Sequence, residues 1–269
     1  MAARASNPLL DLEARPVIAH RGASAAAPEN TLAAFELAAG QGADAFELDV
    51  RLSVDGAPVV IHDATLERTT DGTGPVRAQA LVDLRLLDAG AGFSPDGGAT
   101  FPYRGQGLRL PTLGEVLWAF PRMPILVEVK EPEAQEAVRR VLVQEGAVER
   151  CVVASELQEA LEAFRDPPFA RAASSSEIAQ LYRGVLLRRR AAAPPYQLLS
   201  VPLRYRGLPV PTRRFVAAAR ELGCPVHVWT VNEPATARRL WARGVAGMVT
   251  NVPEAMLKAR PLPPLPLDR

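Results

Sequence analysis

Long apolar runs are missing from this 269-residue chain. None approaches the ~18 residues that a membrane-spanning helix needs. The N-terminal stretch Met1-Ala2-Ala3-Arg4-Ala5-Ser6-Asn7-Pro8 has no apolar core of the secretory type. A soluble cytoplasmic protein is therefore expected. Cysteine is almost absent: Cys151 and Cys224 lie far apart, form no CxxC, and each opens an apolar run. That excludes a disulfide framework and a thiolate metal site, and predicts two reduced, mostly buried thiols. An excess of one charge sign is also lacking, since 31 Lys and Arg face 30 Asp and Glu, for a net charge of +1. Nucleic-acid binding, which calls for a concentrated basic footprint, is not expected. The basic trio Arg188-Arg189-Arg190 reads as a solvated loop, with headgroup contact as the lesser reading. Histidine is rare too, with three in the chain. Oligomeric state leaves no mark in the sequence.

What is present is an alternation of short β-rich runs with helical stretches. The strands are expected at 17–20, 45–50, 125–130, 150–154, 169–172, 197–201, 225–231 and 246–250. Helical patterns follow at 31–39 (capped by Asn30), 112–120, 133–144, 156–164, 174–182, 212–222, 233–243 and 254–259. Eight such units predict one α/β domain over residues 16–259, a (β/α)8 TIM barrel, between terminal tails 1–15 and 260–269. A ninth run, 59–62, follows the second strand after only Ser53-Val54-Asp55-Gly56-Ala57. That link is too short for a parallel crossover, so this run should pair antiparallel as a hairpin. Between Asp63 and Leu110 periodicity fades and Gly, Pro and Asp abound. This predicts a small insertion after the second barrel strand, about 51–110, with a short helix near 81–87.

Barrel chemistry belongs at the C-terminal ends of strands. His20 and Arg21 end the first, Glu47 and Asp49 the second, Glu128 and Lys130 the third, and His62 the hairpin strand. Residues two apart on a strand share a face, so Glu47 and Asp49 point together, as do Glu128 and Lys130. One such acid alone reads as a salt-bridged rim residue. Three converging acids would repel one another, and a divalent cation removes that cost. Oxygen-only ligands suit Mg²⁺, Ca²⁺ or Mn²⁺ better than zinc. His20 and His62 can each give or take a proton near neutrality. Arg21 and Lys130 offer fixed charge to a phosphate, or to the neighbouring acids. His227, mid-strand in Val-His-Val-Trp, reads as a core residue.

The ordered set His20-Arg21-Gly22, Pro28-Glu29-Asn30-Thr31, Glu47-Leu48-Asp49-Val50, Val59-Val60-Ile61-His62-Asp63, Glu128-Val129-Lys130, Trp229-Thr230-Val231-Asn232 and Thr250-Asn251-Val252-Pro253 resembles the glycerophosphodiester phosphodiesterases. The resemblance runs from about Pro16 to Lys258. It implies a metal held by Glu47, Asp49 and Glu128, with His20 and His62 as acid and base. It implies hydrolysis of a small glycerophosphodiester to glycerol 3-phosphate and an alcohol. The rim aromatic Trp229 is a candidate substrate contact or, equally, a barrel-packing residue. Two other readings stand beside it. One is the same chemistry on a lipid diester (lysophospholipase D-like), served by an apolar patch from Phe93, Phe101 and Tyr103 in the insertion. The other is a silent ligand-binding barrel, against which every proposed core residue is present. Ala154-Ser155-Glu156 and Asn251 depart from the family's usual residues and bear on the alcohol side.

Overall fold

The computed structural model describes residues 7–188 and 193–261. Strand alternation accounts for its architecture. In β1 (Val17–His20), β2 (Ala45–Leu52) and β4 (Ile125–Val129), Ala19, Phe46, Leu48, Val50, Val127 and Val129 turn outward to one buried cluster beneath the helices. Ile18, Ala45 and Leu126 turn inward to a second. Period-two side-chain direction produces this two-sided burial, as a parallel sheet covered by helices requires.

Eight strands pair in parallel in the order β6 (Ala170–Arg171), β5 (Cys151–Ala154), β4, β2, β1, β11 (Gly247–Thr250), β10 (Val226–Trp229), β7 (Leu199–Pro202). A parallel bridge between Ala172 and Leu198 joins the two ends, so the sheet closes as the expected barrel. β3 (Pro58–Val60) pairs antiparallel with β2, as the short Asp55-Gly56 link requires. The insertion beyond it carries a small core of its own from Ile61, Leu66, Val76, Leu84, Ala89 and Leu110. Its helix is a single turn, α2 (Leu81–Leu84). The remaining helices are α1 (Leu32–Gly40), α3 (Leu113–Ala119), α4 (Gln135–Gln144), α5 (Ser175–Leu186), α6 (Arg213–Glu221), α7 (Pro234–Trp241) and α8 (Pro253–Ala259).

Several local expectations need correction. α1 is capped by Thr31, whose side chain accepts from the Ala34 amide, and not by Asn30, which is left-handed at φ 58°. The helical pattern at 156–164 forms a 3-10 segment that begins two residues later, Gln158–Phe164. A hairpin of β8 (Arg204–Tyr205) and β9 (Leu208–Pro209) was not anticipated. Its turn residues Arg206 and Gly207 both have positive φ, the geometry usually signalled by Asn-Gly, so Arg-Gly carried no clear mark. Residues 7–10, assigned above to a tail, join the fold. Asn7 caps a 3-10 turn at Pro8–Leu10, and Leu9 is buried in the barrel interior with Ile18, Ala45, Leu126 and Val249. Of the basic trio only Arg188 is among the described residues, and positions 262–269 of the C-terminal tail lie outside them.

His227 faces the same floor. It pairs with Gly247, where a Cβ would come within 3.1 Å of the imidazole, so the ring fills the space that glycine leaves. Neither ring nitrogen has a hydrogen-bond partner. Burial pushes its pKa down to about 3, and the Leu9 backbone offsets only part of that. The folded value lies below that of an unfolded histidine, so the unfolded chain binds the extra proton. This stability is complete above pH 6.5 and is lost as pH falls towards 3, by on the order of 4 kcal/mol. His227→Leu should therefore flatten the pH dependence of the urea midpoint between pH 7 and 4. An unchanged slope would assign the acid sensitivity elsewhere.

Candidate active site

The inward positions of β2 and β4 change character along the strand. Ala45 and Leu126 are apolar floor; one and two steps on come Glu47 and Asp49, then Glu128 and Lys130. Register sets Asp49 beside Glu128 and His20 beside Glu47. Gly22 holds the first loop tight against α1: a Cβ there would meet the Ala34 carbonyl carbon at 2.5 Å, so a side chain is excluded.

Oxygens of Glu47, Asp49 and Glu128, one from each, lie within 4.8 Å of one another. Two ligand oxygens on opposite sides of one hard cation are separated by about 4.2–5 Å, so the trio fits a single divalent ion. Asp49 is wholly buried and its Oδ1 accepts no hydrogen bond. Its Oδ2 accepts from Asn30 Nδ2 at 2.9 Å and lies 2.9 Å from Arg21 Nε, an ion pair without hydrogen-bond alignment. Lys130 Nζ donates to Glu128 Oε1 at 2.8 Å and sits 3.5 Å from Asp49 Oδ1.

The charges are not balanced around the three acids. Burial, and then the charges of Asp49 and Glu128, push Glu47 well above the usual carboxylate range, outweighing Arg21 and Lys130. Burial and Asp49 raise Glu128 as well, against Lys130. Burial would also raise Asp49, but Arg21, Lys130, His62 and the Asn30 bond together hold it low. An orphaned buried oxygen and two carboxyls raised by burial and repulsion make this cluster chemically suited to a cation.

The two histidines are fixed through their Nδ1 atoms. His20 Nδ1 donates to Asn251 Oδ1 at 2.7 Å, and its Nε2 lies 3.9 Å from Glu47 Oε2. Burial, then the Arg21 charge, lowers the His20 pKa. His62 lies two residues beyond the end of β3, where the sequence had placed it at the strand's end. Its Nδ1 donates to Asp63 Oδ1 at 2.6 Å. The backbone there is anchored by the Ile61 amide on the Asp49 carbonyl, and by Arg51 Nε on the His62 carbonyl. Arg68, from the insertion, grips Asp63 on one side and both Glu29 oxygens on the other. Its hydrogen bonds drive Asp63 far below the usual carboxylate range. Glu29 also accepts from Arg21 at 2.8 Å. An unbroken polar chain thus runs from Asp49 through Arg21, Glu29, Arg68 and Asp63 to His62.

A cavity of about 490 Å³ opens over these groups. His20, Arg21, Glu47, His62, Glu128, Lys130 and Trp229 line it, and Asp49 lies buried beneath them, so all eight residues singled out from sequence converge. Asn30, Asp63 and Arg68 were given no site role, and Asn251, expected to bear on the alcohol side, instead anchors His20. Three of them lie in or beside recognised motifs, whereas Arg68 sits in the aperiodic insertion and carried no signal. The far wall is mainly apolar, built from Ala173, Ile178, Ala179, Tyr182, Leu208 and Val210 in and around α5 and the β8–β9 hairpin, with Ser175 and Arg183 among them. Phe93, Phe101 and Tyr103 do not line the cavity; Phe93 and Tyr103 pack edge to face and Arg104 covers Phe101. The expected aromatic patch is replaced by aliphatic and tyrosine side chains on the opposite side.

The sequence matches the glycerophosphoryl diester phosphodiesterase family over residues 20–255. It is 33% identical over 249 residues to a glycerophosphodiester phosphodiesterase of Caldanaerobacter subterraneus, covering 90% of this chain and 96% of the relative. Its fold is similar to that of a phosphodiesterase from Oleispira antarctica solved with its product sn-glycerol-3-phosphate, at 30% identity and TM-score 0.73, covering 91% and 96% of the two chains. It is also similar to the glycerophosphoryl diester phosphodiesterase domain of an uncharacterized Mycobacterium tuberculosis protein, at 25% identity and TM-score 0.81, covering 91% and 98%.

Proposed function

Because this chain belongs to the glycerophosphoryl diester phosphodiesterase family, and is accordingly a phosphodiesterase, we propose that it hydrolyses glycerophosphodiesters to glycerol 3-phosphate and an alcohol. The observation that carries the reading is the convergence of three carboxylates, two imidazoles and two cations on one cavity. Glu47, Asp49 and Glu128 would hold one divalent cation, Mg²⁺, Ca²⁺ or Mn²⁺ by the hardness of the donors. When bound, it supplies Lewis-acid stabilisation of phosphoryl oxygens.

The protein's own groups do the rest. Arg21 and Lys130 bind the phosphate anion and hold its oxygens against the charge that grows in the transition state. One imidazole takes the proton of the attacking hydroxyl, which belongs to water or to the neighbouring glycerol carbon; the second route forms a cyclic phosphate that water then opens to the monoester. The other gives a proton to the departing alkoxide. Both rings direct Nε2 to the substrate because Nδ1 is spent on Asn251 or Asp63. Trp229 packs at the rim beside the glycerol or alcohol moiety. Two free, buried cysteines fit a cytoplasmic setting, and among the described residues no helix is long and apolar enough to cross a membrane.

A second substrate class, acyl-bearing diesters, is favoured by the aliphatic wall of α5 and β9 opposite the phosphate site. The test is a metal-supplemented screen of glycerophosphocholine, other glycerophosphodiesters and lysophosphatidylcholine. Release of glycerol 3-phosphate from the first group, abolished by chelation and restored by metal, is expected. Failure to release it from any diester would end the proposal; preference for the acylated compound would select the second class.

Arg68 touches no reacting atom in this scheme, yet it clamps the carboxylate that orients His62. Arg68→Ala should lower kcat about 10- to 100-fold with KM little changed, a loss typical of orienting hydrogen bonds. Arg68→Lys should not restore it, because one ammonium cannot bridge Asp63 and both Glu29 oxygens. Steady-state kinetics on a soluble diester reads both.

A further inference from the structure

One part of the surface departs from the even charge balance of the chain. No Asp or Glu occurs between Glu177 and Glu221. Arg183, Arg188, Arg204, Arg206, Arg213 and Arg214 fall in that interval, and among the described residues none of the six pairs with a carboxylate. Arg204 donates to the Gly207 carbonyl, and Arg206 lies over the Tyr205 ring.

The same region exposes large apolar side chains. Leu186 is 67% exposed, Leu187 63%, Tyr205 62% and Leu208 64%. Among the described residues these are four of the ten large hydrophobic side chains most open to solvent, drawn from the end of α5 and the β8–β9 hairpin. The two elements are tied together: Tyr182 of α5 donates its hydroxyl to the Pro209 carbonyl at 3.2 Å. Tyr182 also belongs both to the wall of the catalytic cavity and to a shallow hollow lined by Leu186, Arg213 and Arg214. The apolar wall of the cavity therefore continues outward, through Tyr205 and Leu208, into an exposed patch ringed by arginines.

We propose that this rim, formed by the end of α5, the β8–β9 hairpin and the start of α6, docks on an anionic lipid–water surface. Aliphatic and tyrosine side chains flanked by arginines, with no acid among them, match the chemistry of the headgroup layer. Apolar groups enter the acyl boundary, and the guanidinium groups meet phosphates. A second copy of the chain is a poor occupant, because two such faces would oppose six arginines to six. A nucleic acid would use the charge and leave the leucines in water. The proposal does not depend on which diester is hydrolysed: it concerns the face that surrounds the opening, and its test reads binding without turnover.

The experiment is cosedimentation of the full chain with vesicles of phosphatidylcholine alone, or mixed 7:3 with phosphatidylglycerol, at two salt concentrations. Binding to the mixed vesicles, weaker at high salt and much weaker to the neutral ones, is expected. An arginine near such a surface is worth about fivefold in affinity, so Arg213→Gln with Arg214→Gln should weaken binding about 25-fold. Leu186→Ser with Leu187→Ser should weaken it independently of salt. None of these four residues lines the catalytic cavity, so hydrolysis of a water-soluble diester by both variants should match the wild type and certify their folding. Absence of binding to the anionic vesicles overturns the proposal. So does binding that both variants retain in full, and so does arginine-dependent capture of an oligonucleotide with vesicles ignored.

Discussion

His20→Ala and His62→Ala should each lower kcat/KM about 100- to 10,000-fold, the range for loss of one general acid or base. The double variant should be little worse than the poorer single one, because the two rings serve one proton-transfer cycle and their losses do not add. Both rings are anchored by Nδ1 and neither side chain is part of the buried core, so far-UV and near-UV spectra should stay native. The pH profile of His20→Ala should lose one limb. If both single variants turned over within a few-fold of wild type, the proton-transfer roles would be wrong even though the rings face the same cavity.

Glu47→Gln should move stability and activity in opposite directions. In the metal-free protein the folded Glu47 pKa lies well above its unfolded value, through burial and the repulsion of Asp49 and Glu128. The native state then keeps a proton that the unfolded chain releases. That contribution is present below the unfolded pKa and is lost as pH rises through the folded one. Removing the charge should raise stability at neutral pH by about 1–3 kcal/mol, or roughly 2–10 °C in Tm for a chain of this size. Activity should fall at least about 100-fold, because a ligand to the cation is lost. Asp49→Asn should do the reverse to stability. Its carboxylate is held low by Arg21 and Lys130 against burial, a contribution present above its unfolded pKa and lost in acid. Asn would leave those two cations short of a counter-charge, at a cost of about 3–5 kcal/mol. Thermal melts of chelated protein, paired with turnover in added metal, separate the two cases. Equal destabilisation by both variants would contradict the charge imbalance described for the cluster.

Much of this site is legible in the sequence because barrel strands obey a period of two. Glu47 with Asp49, and Glu128 with Lys130, could be placed on one face with no coordinates at all, and their apolar partners Leu48 and Val129 do turn to the helices. What could not be read was whatever depends on approach across the sequence. Arg68 reaches Glu29 from 39 positions away, and His20 meets Asn251 across 231. Asn30 looked like a helix cap, since Asn before an amphipathic run normally is one. Its left-handed backbone instead sends the amide to Asp49, and Thr31 takes the cap. The β8–β9 hairpin escaped notice because two-residue strands leave almost no pattern, and that hairpin supplies part of the cavity wall which the insertion's aromatics do not.

The floor of the barrel has a bearing on turnover. With Leu9 stoppering the end opposite the carboxylates, and the His227 ring seated against Gly247, the well is blind. Substrate and products share the opening over the carboxylates. Retained phosphate product therefore obstructs the next arrival, so glycerol 3-phosphate should act as a competitive inhibitor whose grip is set by Arg21 and Lys130.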